Sequence, residues 1–207
     1  MKNLVTRNII IRPDEIVTSS VIGFSKQLAK QFPTDFVLDG KSFYPHISIY
    51  QATYPENNLN RMEKRVAELA KRITPFDVDL VEFTSMLEFI FLDAVKNDNL
   101  VSLHELVVKE TNPFREGNII PAELPRLSDP NTPEYIKYSI RTYGAALVMD
   151  AFLPHITITH CTKLSDVELA KQKLQMRKFH FRANSLWMAD IGPFGTVNNL
   201  ILEFPFG

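Results

Sequence analysis

A single cysteine, Cys161, among 207 residues excludes an intramolecular disulfide and any zinc site built from several thiolates, and it suits a reducing compartment. Long apolar runs are missing as well. No stretch approaches the ~20 residues that a membrane-crossing helix needs, and the N-terminal MKNLVTRNII has no signal-peptide apolar region. The expectation is a cytoplasmic monomer with no membrane partner. Charge of one sign is scarce too: 23 basic and 24 acidic residues leave a formal net charge of −1, which gives no sign of a long basic groove along a nucleic-acid backbone. An anionic substrate would therefore be small or gripped locally. The chain also lacks a G-x-S-x-G elbow, a G-x-x-x-x-G-K-S/T phosphate loop and an H-E-x-x-H helix, so it offers no basis for a serine-hydrolase, P-loop or zinc-protease site.

What is present is enough for a real core: hydrophobic residues make up 45% of the chain, in a length that suits one large domain or two small fused lobes. Residues 4–11 are rich in β-formers, and Pro13, Asp14 and Glu15 then open a helix running towards Gln31. A strand is predicted over 43–51, a charged helix over 57–73, strands over 76–83 and 87–95, and a helix over 97–111. Residues 112–133 carry five of the thirteen prolines and predict a long irregular loop that borders and covers a cleft. A short helix over 133–143 leads to a strand at 152–160. Ser165 and Glu168 form a capping-box pair for the next helix, and two strands over 177–190 and 196–205 complete a mixed α+β pattern with mostly antiparallel strands.

An internal repeat organises this series. FYPHISIYQATY at 43–54 aligns without gaps with FLPHITITHCTK at 152–163, and each is followed by a helix and further strands. Residues 1–207 thus read as one bilobal domain with a pseudo-twofold axis, its two copies facing each other across a shared cleft. Strand alternation puts Phe43, Pro45, Ile47 and Ile49 on one face and Tyr44, His46, Ser48 and Tyr50 on the other. In the second copy Leu153, His155, Thr157 and Thr159 share the polar face. Each copy then projects an imidazole and a hydroxyl ~6.6 Å apart along the strand, close enough to reach one phosphoryl group. A neutral imidazole can take a proton from water or a hydroxyl, and an imidazolium can give one to a leaving oxygen. Ser48 and Thr157 can donate hydrogen bonds to the developing phosphoryl charge.

The paired P-H-I-S-I and P-H-I-T-I segments resemble the twin H-x-S/T signatures of the two-histidine (2H) phosphoesterase superfamily, which includes cyclic phosphodiesterases and 2'-5' RNA ligase-like proteins. The resemblance implies a bilobal fold of antiparallel sheets lining a central cleft with helices outside. It also implies no cofactor and no metal, and action on 2',3'-cyclic or 2'-5' phosphodiester bonds of a nucleotide or RNA end. It assigns His46 as the acid on the leaving oxygen and His155 as the base on water, with Ser48 and Thr157 on the phosphate. It further suggests Phe91 as an aromatic turned towards substrate. Arg115, Arg126 and Arg141, in or beside the 112–133 segment, are candidates to clamp a phosphate, although solvated loop arginines are common. A non-catalytic nucleotide- or RNA-binding module and a 2'-5' RNA ligase are the alternatives. His160-x-Thr162 also matches the bare pattern, but alternation places His160 on the face opposite His155. His104 and His180 are expected at surface or edge positions, and Trp187 in the core.

Overall fold

A computed structural model describes residues 3–175 and 177–207; Met1, Lys2 and Met176 lie outside the described residues, and with them the first two residues of the segment read for a targeting signal. The elements follow in the order β1 (Leu4–Ile11), α1 (Glu15–Ala29), β2 (Ile47–Pro55), α2 (Leu59–Ala70), β3 (Phe76–Met86), β4 (Phe89–Ala94), α3 (Asp98–Thr111), α4 (Leu124–Ser128), α5 (Glu134–Tyr143), β5 (His155–His160), α6 (Val167–Gln172), β6 (Phe179–Ala183), β7 (Ser185–Ile191) and β8 (Val197–Pro205). Among the described residues no helix is long and apolar enough to cross a membrane.

Local chemistry accounts for the main elements. Asp14 caps α1 by accepting a hydrogen bond from the Val17 amide at 2.9 Å, and Val17, Val21 and Leu28 bury one stripe of that helix. In α2, Met62, Val66 and Leu69 do the same. In β3 Phe76, Val78 and Leu80 are buried while Asp77 and Asp79 are exposed, the period-2 pattern of a sheet with one covered face.

The strands form one curled antiparallel sheet in the order β6-β3-β4-β5-β2-β1-β7-β8. It consists of two four-stranded halves joined by a single residue pair, Ile47 with Ile156, between β2 and β5. Helices α1, α2, α3 and α6 cover one face and share a continuous apolar core with it, as the α+β bilobal expectation requires. The other face is left open between the halves. Each copy of the repeat lends a hairpin to the opposite half. The β3–β4 hairpin, which follows α2, lies between β6 and β5, whereas the β7–β8 hairpin, which follows α6, pairs through β7 with β1 beside β2.

Four expectations are corrected here. The strand predicted over 177–190 is two, β6 and β7, separated by Asn184 and paired on opposite halves of the sheet; the buried set changes phase there, from Phe181 and Ala183 to Leu186 and Met188. The capping box does not form. Ser165 lies in a 3-10 turn and its Oγ reaches only Asp166, while Glu168 pairs with Lys171 at 2.8 Å and accepts from Ser85. Residues 112–133 are not irregular either: 3-10 turns at Asn112–Arg115 and Pro121–Glu123 lead into α4. Finally, His104 is buried and not at the surface. Its Nδ1 donates to the Ile49 carbonyl at 2.6 Å, its Nε2 accepts from the Met149 amide at 2.7 Å, and its ring stacks on Phe152 with centroids 4.0 Å apart. That amide belongs to a residue at φ +58°, so His104 pins a left-handed turn ahead of β5.

Candidate active site

Both predicted strands start late, and the reason is the same in each. Proline has no N–H to give a β-ladder, and Pro45 and Pro154 stand just before the first residues that can join one. His46 thus lies one residue ahead of β2, and His155 is the first residue of β5. Each ring folds back on its own backbone: His46 Nδ1 lies 2.8 Å from the Tyr44 carbonyl and His155 Nδ1 2.8 Å from the Leu153 carbonyl. A carbonyl only accepts, so both neutral rings carry their proton on Nδ1 and keep Nε2 as the free basic atom. Ile47 and Ile156, the pair that joins the two half-sheets, follow directly after the two histidines. The imidazoles accordingly meet at the pseudo-twofold axis.

A β-bulge follows each hydroxyl residue. The register between β1 and β2 shifts so that Ile9 faces Tyr50 but Ile10 faces Ser48, and that between β4 and β5 shifts so that Ile90 faces Thr159 but Phe91 faces Thr157. The extra residue is Ile49 in one copy and Ile158 in the other, equivalent positions of the repeat. A bulge reverses the phase of alternation beyond it, which corrects three placements. Tyr50 turns into the core, where its hydroxyl donates its one proton to the Tyr143 carbonyl at 2.6 Å, with Asn112 Oδ1 3.0 Å away. Thr159 is buried against the Phe36 carbonyl at 3.4 Å. His160, one phase later, comes onto the face of His155: it lies opposite Phe89 in register, its ring packs against Phe89 and Phe194, and its Nδ1 is 2.6 Å from Asp35 Oδ2.

A cleft of ≈ 490 Å³ opens on this face, and His46, Ser48, His155 and Thr157 all line it. Burial pushes the His46 imidazole down to about 4, against the opposing pull of its bond to the Tyr44 carbonyl, and the neighbouring His155 lowers it further. Burial lowers His155 as well. His46 is only 7% exposed, whereas His155 is half-buried. Ser48 Oγ accepts a hydrogen bond from Asn8 Nδ2 at 2.8 Å.

Phe91 lies in the cleft wall with its ring centroid 4.1 Å from that of His155, backed by Phe89. The three arginines separate. Arg126 lines the cleft and is paired with Glu123 at 3.4 Å. Arg115 is buried outside the cleft lining, with its guanidinium engaged by Asn112 Oδ1 and by the carbonyls of Asn118, Arg141 and Thr142. Arg141 is exposed on α5, 3.9 Å from Glu134. His180 is exposed at a sheet edge, where its ring nitrogen lies 3.3 Å from Asp79. Trp187 is partly buried, with the Arg12 guanidinium 5.1 Å over its ring. Among the described residues no group of three or more His, Cys, Asp or Glu side chains is arranged to hold a metal ion. Sequence reasoning missed Asn8 and Gln51. The signal for Asn8 was there: an amide at the head of an Ile-Ile-Ile run is depleted from strands unless its side chain has a task.

Fold and site together define a two-histidine phosphoesterase architecture: a curled sheet in two halves with one imidazole and one hydroxyl from each. The sequence profile of the 2'-5' RNA ligase superfamily matches residues 41–191, and the chain belongs to that family. The fold is shared with the TT0787 protein of Thermus thermophilus, at 13% identity and a TM-score of 0.59 over 98% of each chain. It is shared also with E. coli LigT, solved with ATP (9% identity, TM-score 0.57, 100% of this chain and 99% of that one) and with 3'-AMP (10%, 0.55, the same coverage). A search of curated proteins gives no match.

Proposed function

We propose that the protein is a phosphodiesterase that hydrolyses 2',3'-cyclic or 2'-5' phosphodiester bonds of RNA ends or small nucleotides by paired-histidine acid–base catalysis, without a metal. The observation that carries this is the duplicated tether: two imidazoles, each fixed by Nδ1 to the carbonyl two residues back, flank one residue pair with a hydroxyl beside each. Simple binding does not require two titratable groups at matched positions, whereas proton transfer at both ends of a displacement does. One Nε2 takes the proton of the attacking water as its oxygen bonds to phosphorus. The other imidazolium protonates the leaving oxygen as its P–O bond breaks, and the product is a phosphomonoester. Ser48 and Thr157 donate to the non-bridging oxygens.

Burial favours a reversal of the roles that resemblance assigned. A single shared proton settles on the more exposed His155, and its charge further disfavours a second on His46. His155 then serves as the acid and His46 as the base in hydrolysis. The structures of LigT with phosphate, ATP and 3'-AMP support a nucleotide substrate for this cleft. A ligase is the same catalyst run in reverse.

The test is incubation of purified protein, in excess chelator, with nucleoside 2',3'-cyclic monophosphates, a 2'-5'-linked dinucleotide and an RNA ending in a cyclic phosphate. At least one should give a phosphomonoester. No turnover of any by folded protein would leave a binding module as the better account.

A further inference from the structure

Asn8 is completely buried on β1, opposite Gln51, and its Nδ2 donates to Ser48 Oγ at 2.8 Å. Among the described residues that is the amide's one side-chain hydrogen bond, because its Oδ1, also buried, has no partner. The direction of the bond matters. A serine hydroxyl has one proton and two acceptor directions. With one of those directions filled by an N–H, the Ser48 proton cannot point at Asn8 and is left to the open side, the cleft. The equivalent hydroxyl needs no such help. Thr157 lies opposite Phe91, and no side-chain hydrogen bond reaches it among the described residues. Its β-methyl already restricts χ1, which serine's side chain does not. One hydroxyl of the pair is thus held by chemistry and the other by shape.

We propose that Asn8 is a positioning residue that fixes Ser48 so that its O–H donates to a non-bridging phosphate oxygen. The inference rests on the phosphodiesterase reading and adds a residue to it.

A double-variant cycle in kcat, on whichever of the three substrates turns over, tests it, with thermal unfolding confirming that each protein is folded at the assay temperature. Asn8→Ala should lose on the order of 10-fold, as should Asn8→Leu, which removes the amide but keeps the volume filled. Neither change should deepen the loss already caused by Ser48→Ala. Asn8→Asp should lose at least as much as Asn8→Ala, because a carboxylate accepts the Ser48 proton and turns it away from the cleft. Adding Ser48→Thr to Asn8→Ala should restore most of the activity: the new methyl fills the vacated space and sets χ1 as in Thr157. A protein that was merely destabilised would not be repaired this way. If Ser48→Ala is itself silent, the role given to Ser48 fails. If Ser48→Ala is impaired but the Asn8 losses multiply with it, or if Ser48→Thr restores nothing, the positioning role of Asn8 is overturned.

Discussion

At the scale of single residues, the two imidazoles should be jointly indispensable. His46→Ala or His155→Ala should cut kcat by about 10²–10⁴, and the double variant should lose little more, because both act in one step. Steady-state assays of the three variants decide this, and a near-native single variant would remove the paired mechanism. The pH dependence follows from burial. In the empty cleft His46 gains its proton only near about 4, and His155 loses its own at a value below the ordinary 6.5. A plot of kcat/KM, which reports the free enzyme, should therefore be a bell with its maximum below pH 6.5. The bell in kcat should lie higher, because a bound phosphodiester anion raises both groups. An optimum of kcat/KM above pH 7 would contradict the buried pair.

His104 links titration to stability instead. Burial holds it to about 4 in the folded state, so between pH 6.5 and 4 the unfolded chain binds the proton and the folded one does not. Its stabilising contribution is complete above pH 6.5 and is lost as pH falls through that window. His104→Phe should cost about 2–3 kcal/mol at pH 8 by orphaning the Met149 amide and the Ile49 carbonyl. Its Tm should then fall less steeply between pH 6.5 and 4, which calorimetry across pH can show. The four lining side chains were legible in the sequence because the repeat doubled them. Asn8 stood out only as an amide before three isoleucines, and which hydroxyl it holds depends on the pairing of β1 with β2, which that local signal does not contain.

At the scale of elements, proline and the bulges explain where prediction held and where it slipped. Helices α1, α2, α3 and α5 fell within a few residues of expectation because their apolar stripes, and the Asp14 and Asn97 caps of α1 and α3, are local. The bulges at Ile49 and Ile158 depend on the strand across the way, so alternation alone misplaced Tyr50, Thr159 and His160. The segment 112–133 reads as loop by its prolines, yet a buried cation folds it. The Arg115 guanidinium gathers three backbone carbonyls and Asn112, and Gly144, at φ +82°, is the site where a Cβ would sit 3.0 Å from the Asn118 oxygen. Arg115→Met should therefore destabilise the fold by about 3 kcal/mol or more, as read by urea denaturation, because it strips the buried guanidinium from the four acceptors it gathers. Ile120, Ala122, Glu123 and Arg126 of this segment line the cleft. Replacing 119–130 with a short linker should then alter KM or substrate range while the protein stays folded. Unchanged kinetics on every substrate would reduce the segment to a surface insertion.

At the scale of the whole molecule, the repeat gave the plan but not its wiring. Two halves with one histidine each could be deduced from two aligned strands. That the β3–β4 and β7–β8 hairpins change sides could not, because pairing partners leave no trace in the composition of a strand. This exchange bears on how the chain comes together. Neither half-sheet can be completed by a continuous stretch of sequence: β5 and β6 need the hairpin from the first copy, and β1 needs β7 from near the end of the chain. During synthesis the N-terminal copy would emerge with its β3–β4 hairpin lacking both outer neighbours and β1 open along one edge. Folding to completion should then be deferred until β7 is available, and should be slow for the chain's size. Cutting between Met86 and Phe89 should give two pieces that are each unfolded alone yet recover the fold, and with it the cleft, when mixed.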